Sequence, residues 1–273
     1  MGFRLSYYEF LLRQGPVPFS KGIPYARFIE YPRVVEALQA GPQDTVLDVG
    51  SRYSPFPQVL ATQFGCSVVA VDPEPGFRSK QMAMAHRVPA AARAVRDGKL
   101  DFLTEDAGQL SFPDDHFSRI SAISVLEHIV DESQVVRELA RVLRPGGRFV
   151  ISVPYDPWRD EPKYYRQNPY VVADKSREEF FMRFYNDENL RQRLIKPSGL
   201  SLVSTTYFGE PGFNAHNLLY GNPRIPWPVK RLIFQPLVPI LAPTLIKNLE
   251  PRQFRHKTKI YTADTAVVVL TKP

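Results

Sequence analysis

The stretch VLDVGSRYSPFPQVLA, residues 46–61, joins an apolar run to an acid, a glycine and a helix-length segment. This is the order of a nucleotide-binding turn between a strand and a helix. A loop that cradles phosphates carries further glycines, which let the backbone approach the ligand closely. Arg52 and Pro55 stand where those glycines would be. The sequence thus keeps the strand, turn and helix of such a site, but it lacks the glycines that would contact phosphates.

Apolar, β-branched-rich runs alternate with helix-length segments on both sides of this stretch. Strands are predicted at residues 45–49, 67–71, 101–103, 119–124, 148–153, 200–208 and 265–273. Helices are predicted at residues 54–64, 78–96 and 131–143, and from an N-cap at Asn186 to Gly199. Such alternation gives parallel βαβ units. We therefore predict an α/β fold with a doubly wound, mostly parallel, Rossmann-like sheet of seven strands.

Regions outside the alternation complete what we predict to be a single domain. In chain order the parts are a helical cap (1–43), the ligand-binding core (44–153), a substrate-side loop, helix and strand (154–208), a basic and apolar insertion (209–260) and the last strand (261–273). Ligands of open α/β sheets bind beyond the carboxyl ends of the strands. The long connection at 154–185 is therefore expected to lie over the site.

The composition is that of a soluble globular protein, with 44% hydrophobic and 23% charged residues. Cys66 is the single cysteine, so an internal disulfide is excluded and a place in the core is expected. His86, His216 and His256 show no spacing for a metal site, and no metal is expected. Neither a signal peptide nor a membrane span is predicted, so the cytoplasm is the expected location.

The net charge of +7 comes from one part of the chain, residues 211–260, which holds eight basic residues and one acid. Within it, residues 232–246 are apolar except for Gln235 and Thr244, a run too short to span a bilayer. Its prolines argue against a straight helix. A tryptophan and the flanking Lys and Arg are residue types that settle at a lipid headgroup boundary. Peripheral contact of residues 223–259 with an anionic membrane is one interpretation, and a solvated lid or dimer contact is the other.

Two acids accompany the turn. Asp48 lies in the first predicted strand and Asp72 ends the second, about twenty residues after Gly50. An acid at the position of Asp72 can accept hydrogen bonds from ribose hydroxyls, in a dinucleotide dehydrogenase as in other nucleoside-binding folds. A pyrophosphate would need the close approach that Arg52 denies, whereas an adenosine without phosphates would not. The charged end of such a ligand would need an acid, and Asp48 can serve directly or by ordering the turn.

Five motifs in this order resemble those of class I S-adenosylmethionine-dependent methyltransferases, over about residues 44–153. They are VLDVGS, VVAVDP, LTEDAGQLSFPDDHFSRI, ISVLEHI and LARVLRPGGRFVISVP. The resemblance implies S-adenosylmethionine as cofactor, with contacts at Asp48, Gly50, Ser51, Asp72, Pro73, Asp106, Ala107 and Ser124. Asp72 would bind the ribose, and Asp106 with Ala107 would meet the adenine, with the adjoining Glu105 as the alternative acid. The family usually has a second glycine where this chain has Arg52.

The resemblance also indicates where the reacting end lies. Glu127 and His128 follow the fourth predicted strand and are the candidate catalytic residues. His128 would act as a general base, and a structural role for the pair is the alternative. The candidate substrate residues follow the fifth strand: Tyr155, Asp156, Tyr164 and Tyr165. Four residues of the cap either contact the amino-acid end of the cofactor or simply pack: Tyr25, Arg27, Glu30 and Tyr31.

The implied function is methyl transfer from S-adenosylmethionine to a small acceptor, which would be apolar or lipid-linked if residues 223–259 meet a membrane. A cofactor-binding interaction protein without turnover is an alternative because of Arg52. A nucleic-acid methyltransferase that uses residues 211–260 on phosphates is another, but the chain has SVLEHI after the fourth strand in place of an NPPY-like motif. The acceptor, the methylated atom and the oligomeric state stay open at this point.

Overall fold

The structure, a computed structural model of the 273-residue chain, describes residues 3–14, 25–159, 163–165, 179–212, 214–215, 224–226, 229, 235–254 and 263–273. Its strands are β1 (Thr45–Val49), β2 (Ser67–Val71), β3 (Leu100–Leu103), β4 (Phe117–Ile123), β5 (Leu143–Pro154), β6 (Lys163–Tyr165), β7 (Glu179–Met182), β8 (Ser201–Gly209), β9 (Lys247–Leu249) and β10 (Thr265–Thr271). Eight of them form one sheet in the order β3-β2-β1-β4-β5-β10-β8-β9, and β6 pairs with β7.

Helices cover both faces of this sheet. They are α1 (Phe3–Arg13), α2 (Arg27–Leu38), α3 (Phe56–Phe64), α4 (Phe77–His86), α5 (Pro89–Arg96), α6 (Glu132–Val142), α7 (Asp187–Asn189), α8 (Lys196–Ser198) and α9 (Gln235–Leu245). A π-helical segment, Leu190–Ile195, joins α7 to α8, and 3₁₀ turns lie at Leu126–His128 and Pro251–Gln253. Among the described residues, no helix combines the length and apolarity needed to cross a bilayer.

The predicted fold class is confirmed. β1 to β5 pair in parallel, and β10 runs antiparallel between β5 and β8. The described sheet has eight strands instead of the predicted seven, because β9 adds an antiparallel edge strand through the pairing of Tyr207 with Leu249. Three residues are too few to show a strand pattern in the sequence. Part of the predicted insertion at 209–260 therefore returns to the sheet.

Helix boundaries follow local capping chemistry. The predicted helix at 78–96 is two helices, because Pro89 opens α5 and Val88 before it is extended, as proline requires. The predicted cap is confirmed: the Asn186 side chain accepts a hydrogen bond from the backbone N–H of Asn189 at 2.8 Å. Gly199, at φ +67°, ends α8 as expected. A helix does form at Gln235–Leu245 although prolines lie inside it.

Two apolar clusters cover the two faces of the sheet. Because side chains alternate along a strand, Val46 belongs to one cluster and its neighbour Leu47 to the other. The first cluster joins the sheet to α1, α2 and α9, and it contains Cys66, which confirms its expected place in the core. The second joins the sheet to α6. The loops at the carboxyl ends of the parallel strands are thus held on a rigid base.

The packing of α6 generates a prediction about stability. Glu132 is fully buried and pairs with Arg183 at 2.7 Å and with Arg193. Glu132→Ala should lower the free energy of unfolding by about 3–5 kcal/mol, because it leaves buried positive charge uncompensated. The matched control is Glu9→Ala, which removes an exposed ion pair with Arg13 and should cost less than about 1 kcal/mol. Urea titrations would measure both, and equal losses would contradict the interpretation.

Candidate functional site

A cavity of about 660 Å³ opens at the carboxyl ends of β1, β2, β3 and β4. All eight residues implied to bind the cofactor line it, so the structure brings them together from four separate motifs. This is the position that open α/β sheets use for ligands. Their contacts with a cofactor stay a prediction, but their common location is a property of the fold.

Asp48 orders the turn that follows β1. Its carboxylate is buried and accepts hydrogen bonds from Ser51 Oγ and, at 2.6 Å, from Ser121 Oγ. Burial raises the pKa of Asp48 to about 6, although the two serine hydrogen bonds favour the charged form. These two hydrogen bonds join Ser51 of the turn to Ser121 of β4, which supports the second of its two predicted roles, to order the turn; direct binding by Asp48 stays a prediction.

Two residues of the turn have left-handed backbone. Gly50 has φ +73°, and a Cβ there would lie 2.3 Å from Val125 Cγ2, so only glycine fits. Arg52 takes φ +43° where the family usually has a second glycine. Its backbone N–H donates to Asp72 Oδ2 at 3.0 Å, and its Nε donates to Glu74 Oε2 at 2.6 Å. The turn therefore keeps a glycine-like conformation, and the arginine side chain is tied to Glu74.

Glu74 accepts hydrogen bonds from Arg52 and from two polar side chains near it. Besides Arg52, it accepts hydrogen bonds from Tyr53 and, at 2.8 Å, from Lys80 Nζ. Its partial burial would raise the pKa of Glu74, but the three donors outweigh this effect and lower the pKa to about 2. Glu74 is thus a permanent anion that stabilises an arginine at a position where glycine is usual.

Asp72 has the geometry expected of a ribose-binding acid. Its two oxygens accept hydrogen bonds from the backbone N–H groups of Glu74 at 2.9 Å and Arg52 at 3.0 Å. A carboxylate offers about four acceptor positions, so about two remain for ribose hydroxyls. Burial raises the pKa of Asp72, opposed by these backbone hydrogen bonds.

Glu105 and Asp106, the two candidate acids for the adenine end, both line the cavity. Glu105 Oε1 accepts a hydrogen bond from Ser111 Oγ at 2.6 Å. Asp106 Oδ1 accepts one from the backbone N–H of Gly108 at 2.8 Å, and Ala107 beside it is buried. The structure leaves the choice between the two acids open and shows Ala107 to be an apolar part of the wall.

A buried carboxylate joins the cap to the cavity. Glu30 of α2 accepts hydrogen bonds from Ser124 Oγ at 2.8 Å and Ser152 Oγ at 2.7 Å, and it pairs with Arg27. Arg27 also donates to Ser124 Oγ at 2.8 Å, and it lines the cavity together with Tyr31. From the sequence alone, these cap residues could equally contact the cofactor or simply pack. One feature of the sequence could have indicated that Glu30 is buried: it lies on the same helical face as the apolar Val34 and Leu38.

His128 is held in a defined orientation. Its Nδ1 lies 2.7 Å from the carbonyl oxygen of Phe181 in β7. A carbonyl can only accept, so Nδ1 carries the hydrogen and the lone pair of the neutral ring is on Nε2. Burial lowers the pKa of His128, and the ring lines the cavity. A neutral imidazole with a defined tautomer at the cavity wall can accept a proton.

Glu127 lies behind the cavity wall and does not line it. Its side chain is buried, and Oε2 has no hydrogen-bond partner among the described residues. Oε1 lies 3.9 Å from His128 Nε2. Burial raises the pKa of Glu127 to about 8, so the group is protonated near neutral pH. Of its two predicted roles, the structural one fits this environment better than direct catalysis.

Of the candidate substrate residues, Tyr155 and Asp156 do not line the cavity. Tyr155 is buried and donates to Asp187 Oδ1 at 3.0 Å. Asp156 accepts a hydrogen bond from the backbone N–H of Trp158 at 3.0 Å. Tyr164 and Tyr165 belong to β6, and their side chains lie outside the described residues. The Tyr155 hydroxyl therefore joins the start of the long connection to α7, and Asp156 accepts its hydrogen bond within the connection.

Metal chemistry has no cluster to support it in the described part of the chain, where no group of three or more His, Cys, Asp or Glu side chains could hold an ion. A nucleoside with a charged amino-acid end fits the cavity better. Asp72 offers acceptors to ribose hydroxyls, and Arg27 offers a cation near Gly50 that a carboxylate can contact. The wall therefore has the donor and acceptor set that S-adenosylmethionine requires.

The buried Glu127 generates a prediction about pH. Between the ordinary pKa of about 4.5 and the raised pKa of about 8, the folded chain keeps a proton that the unfolded chain has lost. Stability is therefore lost as pH rises through this window. Glu127→Gln removes the titration, so its free energy of unfolding relative to wild type should rise by roughly 3–5 kcal/mol from acid to alkaline pH.

Thermal or urea unfolding at a series of pH values would measure this difference. Asp48 titrates in both proteins and cancels in the comparison. The exposed Glu188, changed to Gln, is the matched control and should keep the wild-type profile. A Glu127→Gln profile parallel to wild type across the whole range would show that Glu127 is already ionised in the folded state.

The chain also resembles known proteins. A family model described as a methyltransferase domain matches residues 47–151. The chain is 35% identical over 120 residues to the methyltransferase GfsG of Streptomyces halstedii, covering 44% of this chain and 41% of that protein. It is 35% identical over 115 residues to a demethylmenaquinone methyltransferase of Mycobacterium marinum, covering 42% and 43%. The matched region thus spans less than half the length of either relative.

Among solved structures, the geranyl diphosphate C-methyltransferase of Streptomyces coelicolor has a similar fold, with a TM-score of 0.56 at 12% identity over 89% of this chain and 76% of that chain. That structure contains Mg²⁺, geranyl diphosphate and S-adenosyl-L-homocysteine. The matched residues 47–151 include Asp48, Gly50 and Asp72 at the cavity wall. Over residues 47–151, the chain therefore matches a methyltransferase domain, which supports S-adenosylmethionine as its cofactor.

Proposed function

We propose that the chain transfers the methyl group of S-adenosylmethionine to a small acceptor that has an apolar part. The observation that carries this proposal is one cavity wall that combines the ribose acid Asp72 with the oriented base His128. Asp72 supports binding of the cofactor, and His128 supports methyl transfer from the sulfonium end of the cofactor. A cofactor-binding protein without turnover would not need a histidine held in this tautomer. Against a nucleic-acid enzyme stands the SVLEHI segment after the fourth strand.

Three groups of the chain would position the cofactor. Asp72 accepts from the ribose hydroxyls, Ala107 packs at the adenine end, and Arg27 binds the carboxylate of the amino-acid end. Arg27 is suited to this because Glu30 and Ser124 fix its guanidinium in place. Arg52 does not oppose binding, since its backbone N–H serves Asp72 and its side chain is engaged by Glu74.

Bound S-adenosylmethionine supplies a methyl group on a positively charged sulfur. A nucleophile attacks the methyl carbon in line, and the sulfur leaves as a neutral thioether. The chain contributes position, exclusion of water and a base. His128 Nε2 accepts the proton that the acceptor loses as its new bond to the methyl group forms. The hydrogen bond from Nδ1 to the Phe181 carbonyl steadies the ring during this transfer.

The apolar nature of the acceptor follows from the wall beside His128. Ile123, Val125 and Ile129 line the cavity there. A relative of the chain is named for demethylmenaquinone and a structural neighbour for geranyl diphosphate, and both compounds have an apolar part. A phenol or hydroquinone with a hydrocarbon side chain is the acceptor class we propose, because its hydroxyl can lose a proton to His128 while its side chain contacts these residues. An acceptor of this kind also suits a protein in peripheral contact with a membrane.

The cofactor assignment predicts a selective binding profile. S-adenosylmethionine and its demethylated product should bind with micromolar affinity, whereas NAD should not bind, because Arg52 denies its pyrophosphate a close approach. Asp72→Ala should weaken cofactor binding by about 1–3 kcal/mol, the cost of leaving ribose hydroxyls unpaired. Isothermal titration calorimetry would measure both. The exposed Asp97, changed to Ala, is the control. Binding of NAD, or wild-type affinity in the Asp72 variant, would refute the assignment.

The base assignment predicts a split between rate and binding. His128→Ala should lower kcat about 10²- to 10⁴-fold while cofactor affinity stays unchanged. The wild-type rate should fall as pH drops below the pKa of His128, which burial lowers from its ordinary value. Transfer of radiolabelled methyl groups to alkylated phenols and hydroquinones would measure the rates. The exposed His86, changed to Ala, is the control. A His128 variant that loses folding stability but keeps its kcat would show the role to be structural.

A further inference from the structure

The helix α9, in the segment between β8 and β10, has an apolar outer face. None of its eleven residues is charged. Leu237, Ile240 and Leu245 are 42%, 66% and 37% exposed. Thr244 lies on the same side, but its hydroxyl donates to the Ile240 carbonyl at 2.7 Å and is used within the helix. A helix at a protein surface ordinarily carries polar side chains outward, so this face suits a medium other than water.

The inner face fixes α9 to the body of the protein. Val238, Ala242 and Ile246 are buried in the same apolar cluster as residues of α2, and the two helices pack together. The helix α2 also contributes Arg27 and Tyr31 to the cavity wall. The exposed face is therefore a fixed surface attached to an element of the site.

Positive charge accompanies this face. Lys247 follows the helix directly and is exposed. The Arg252 side chain is 83% exposed and pairs at 2.6 Å with Glu250, the one acid of this part of the chain. Both belong to residues 211–260, which hold eight basic residues and one acid. A second copy of the chain would place the same basic residues opposite one another in a symmetric interface, which is repulsive. An anionic lipid surface attracts them instead.

The prolines limit how deeply α9 can enter lipid. Pro239 and Pro243 have no N–H, so the carbonyls of Gln235 and Pro239 lack their helical donors. Such carbonyls are costly in hydrocarbon but can accept hydrogen bonds from water or headgroups. The helix therefore suits the boundary between headgroups and acyl chains.

We propose that the outer face of α9 docks on an anionic phospholipid surface. Leu237, Ile240 and Leu245 enter the headgroup boundary, and Lys247 and Arg252 lie against lipid phosphates. Docking itself depends only on this surface. Its consequence rests on the proposed function: an acceptor with a hydrocarbon side chain would pass from the leaflet to a cavity whose wall includes α2.

Co-sedimentation of the full chain with vesicles tests the proposal. We expect capture by vesicles of phosphatidylcholine mixed with phosphatidylglycerol, weakening as NaCl rises, and little capture by phosphatidylcholine alone. Leu237→Glu should weaken capture about tenfold or more, because it puts a charge at the apolar boundary. A glutamate suits the first turn of a helix, so folding should not suffer. The matched control is Leu202→Glu, at a leucine of β8 that is 51% exposed, and it should bind as wild type does.

The charge contribution has its own pair of variants. Lys247→Glu should weaken capture about tenfold at low salt and have little effect at high salt. Lys196→Glu, at an exposed lysine of α8, should leave capture unchanged. Calorimetry with S-adenosylmethionine should show the same cofactor affinity in all four variants.

Three outcomes would overturn the proposal. The chain could stay in the supernatant with the mixed vesicles at low salt. The Leu237 and Leu202 variants could be captured equally. The chain could form a dimer that Leu237→Glu dissociates while vesicle capture is unchanged, which would assign the face to a second copy. Failure of methyl transfer with capture intact would count against the proposed function and leave the docking surface standing.

Discussion

The site depends on the conformation of the turn between β1 and α3. Gly50 must have no side chain because Val125 occupies the space, and Arg52 must keep a left-handed backbone so that its N–H reaches Asp72. A non-glycine residue with positive φ is strained, and here Glu74 compensates by holding the arginine side chain. The chain therefore obtains from an ion pair what the family usually obtains from a glycine. The ribose acid stays in place as a result.

The cap is part of the site because one buried carboxylate of the cap forms hydrogen bonds with residues of the core. Glu30 of α2 accepts hydrogen bonds from Ser124 after β4 and Ser152 in β5, and it orients Arg27 at the cavity. The other side of the cavity is linked in a similar way. His128 is held by the Phe181 carbonyl of β7, and the backbone carbonyl of Glu127 accepts from the N–H of Arg183, which follows β7. Cap and substrate-side connection thus hold the two ends of the cavity through contacts with residues of the fourth and fifth motifs.

Much of this could be predicted from the sequence, where contacts are local or periodic. The order of strands and helices, the Asn186 cap and the shared position of the eight cofactor residues follow from patterns within a few residues of each other. The eighth strand was missed because Lys247–Leu249 gains its structure from pairing with β8. Nothing in the sequence shows that the Tyr155 hydroxyl donates to Asp187, and the role of Tyr155 toward a substrate stays a prediction. Glu30 was left unassigned because its partners Ser124 and Ser152 are distant in sequence. The sequence pattern does not show contacts between residues that are distant in the chain and meet only in the folded sheet.

The central claim is that a turn without its usual glycines binds a nucleoside that has no phosphates, with Asp72 on the ribose. A crystal structure of the chain with S-adenosyl-L-homocysteine tests it most directly. The account predicts that both ribose hydroxyls lie within hydrogen-bonding distance of the Asp72 carboxylate, and that Arg52 keeps its positive φ and its contact with Glu74. A nucleoside bound away from Asp72, or a turn that must rearrange at Arg52 to admit it, would contradict the account.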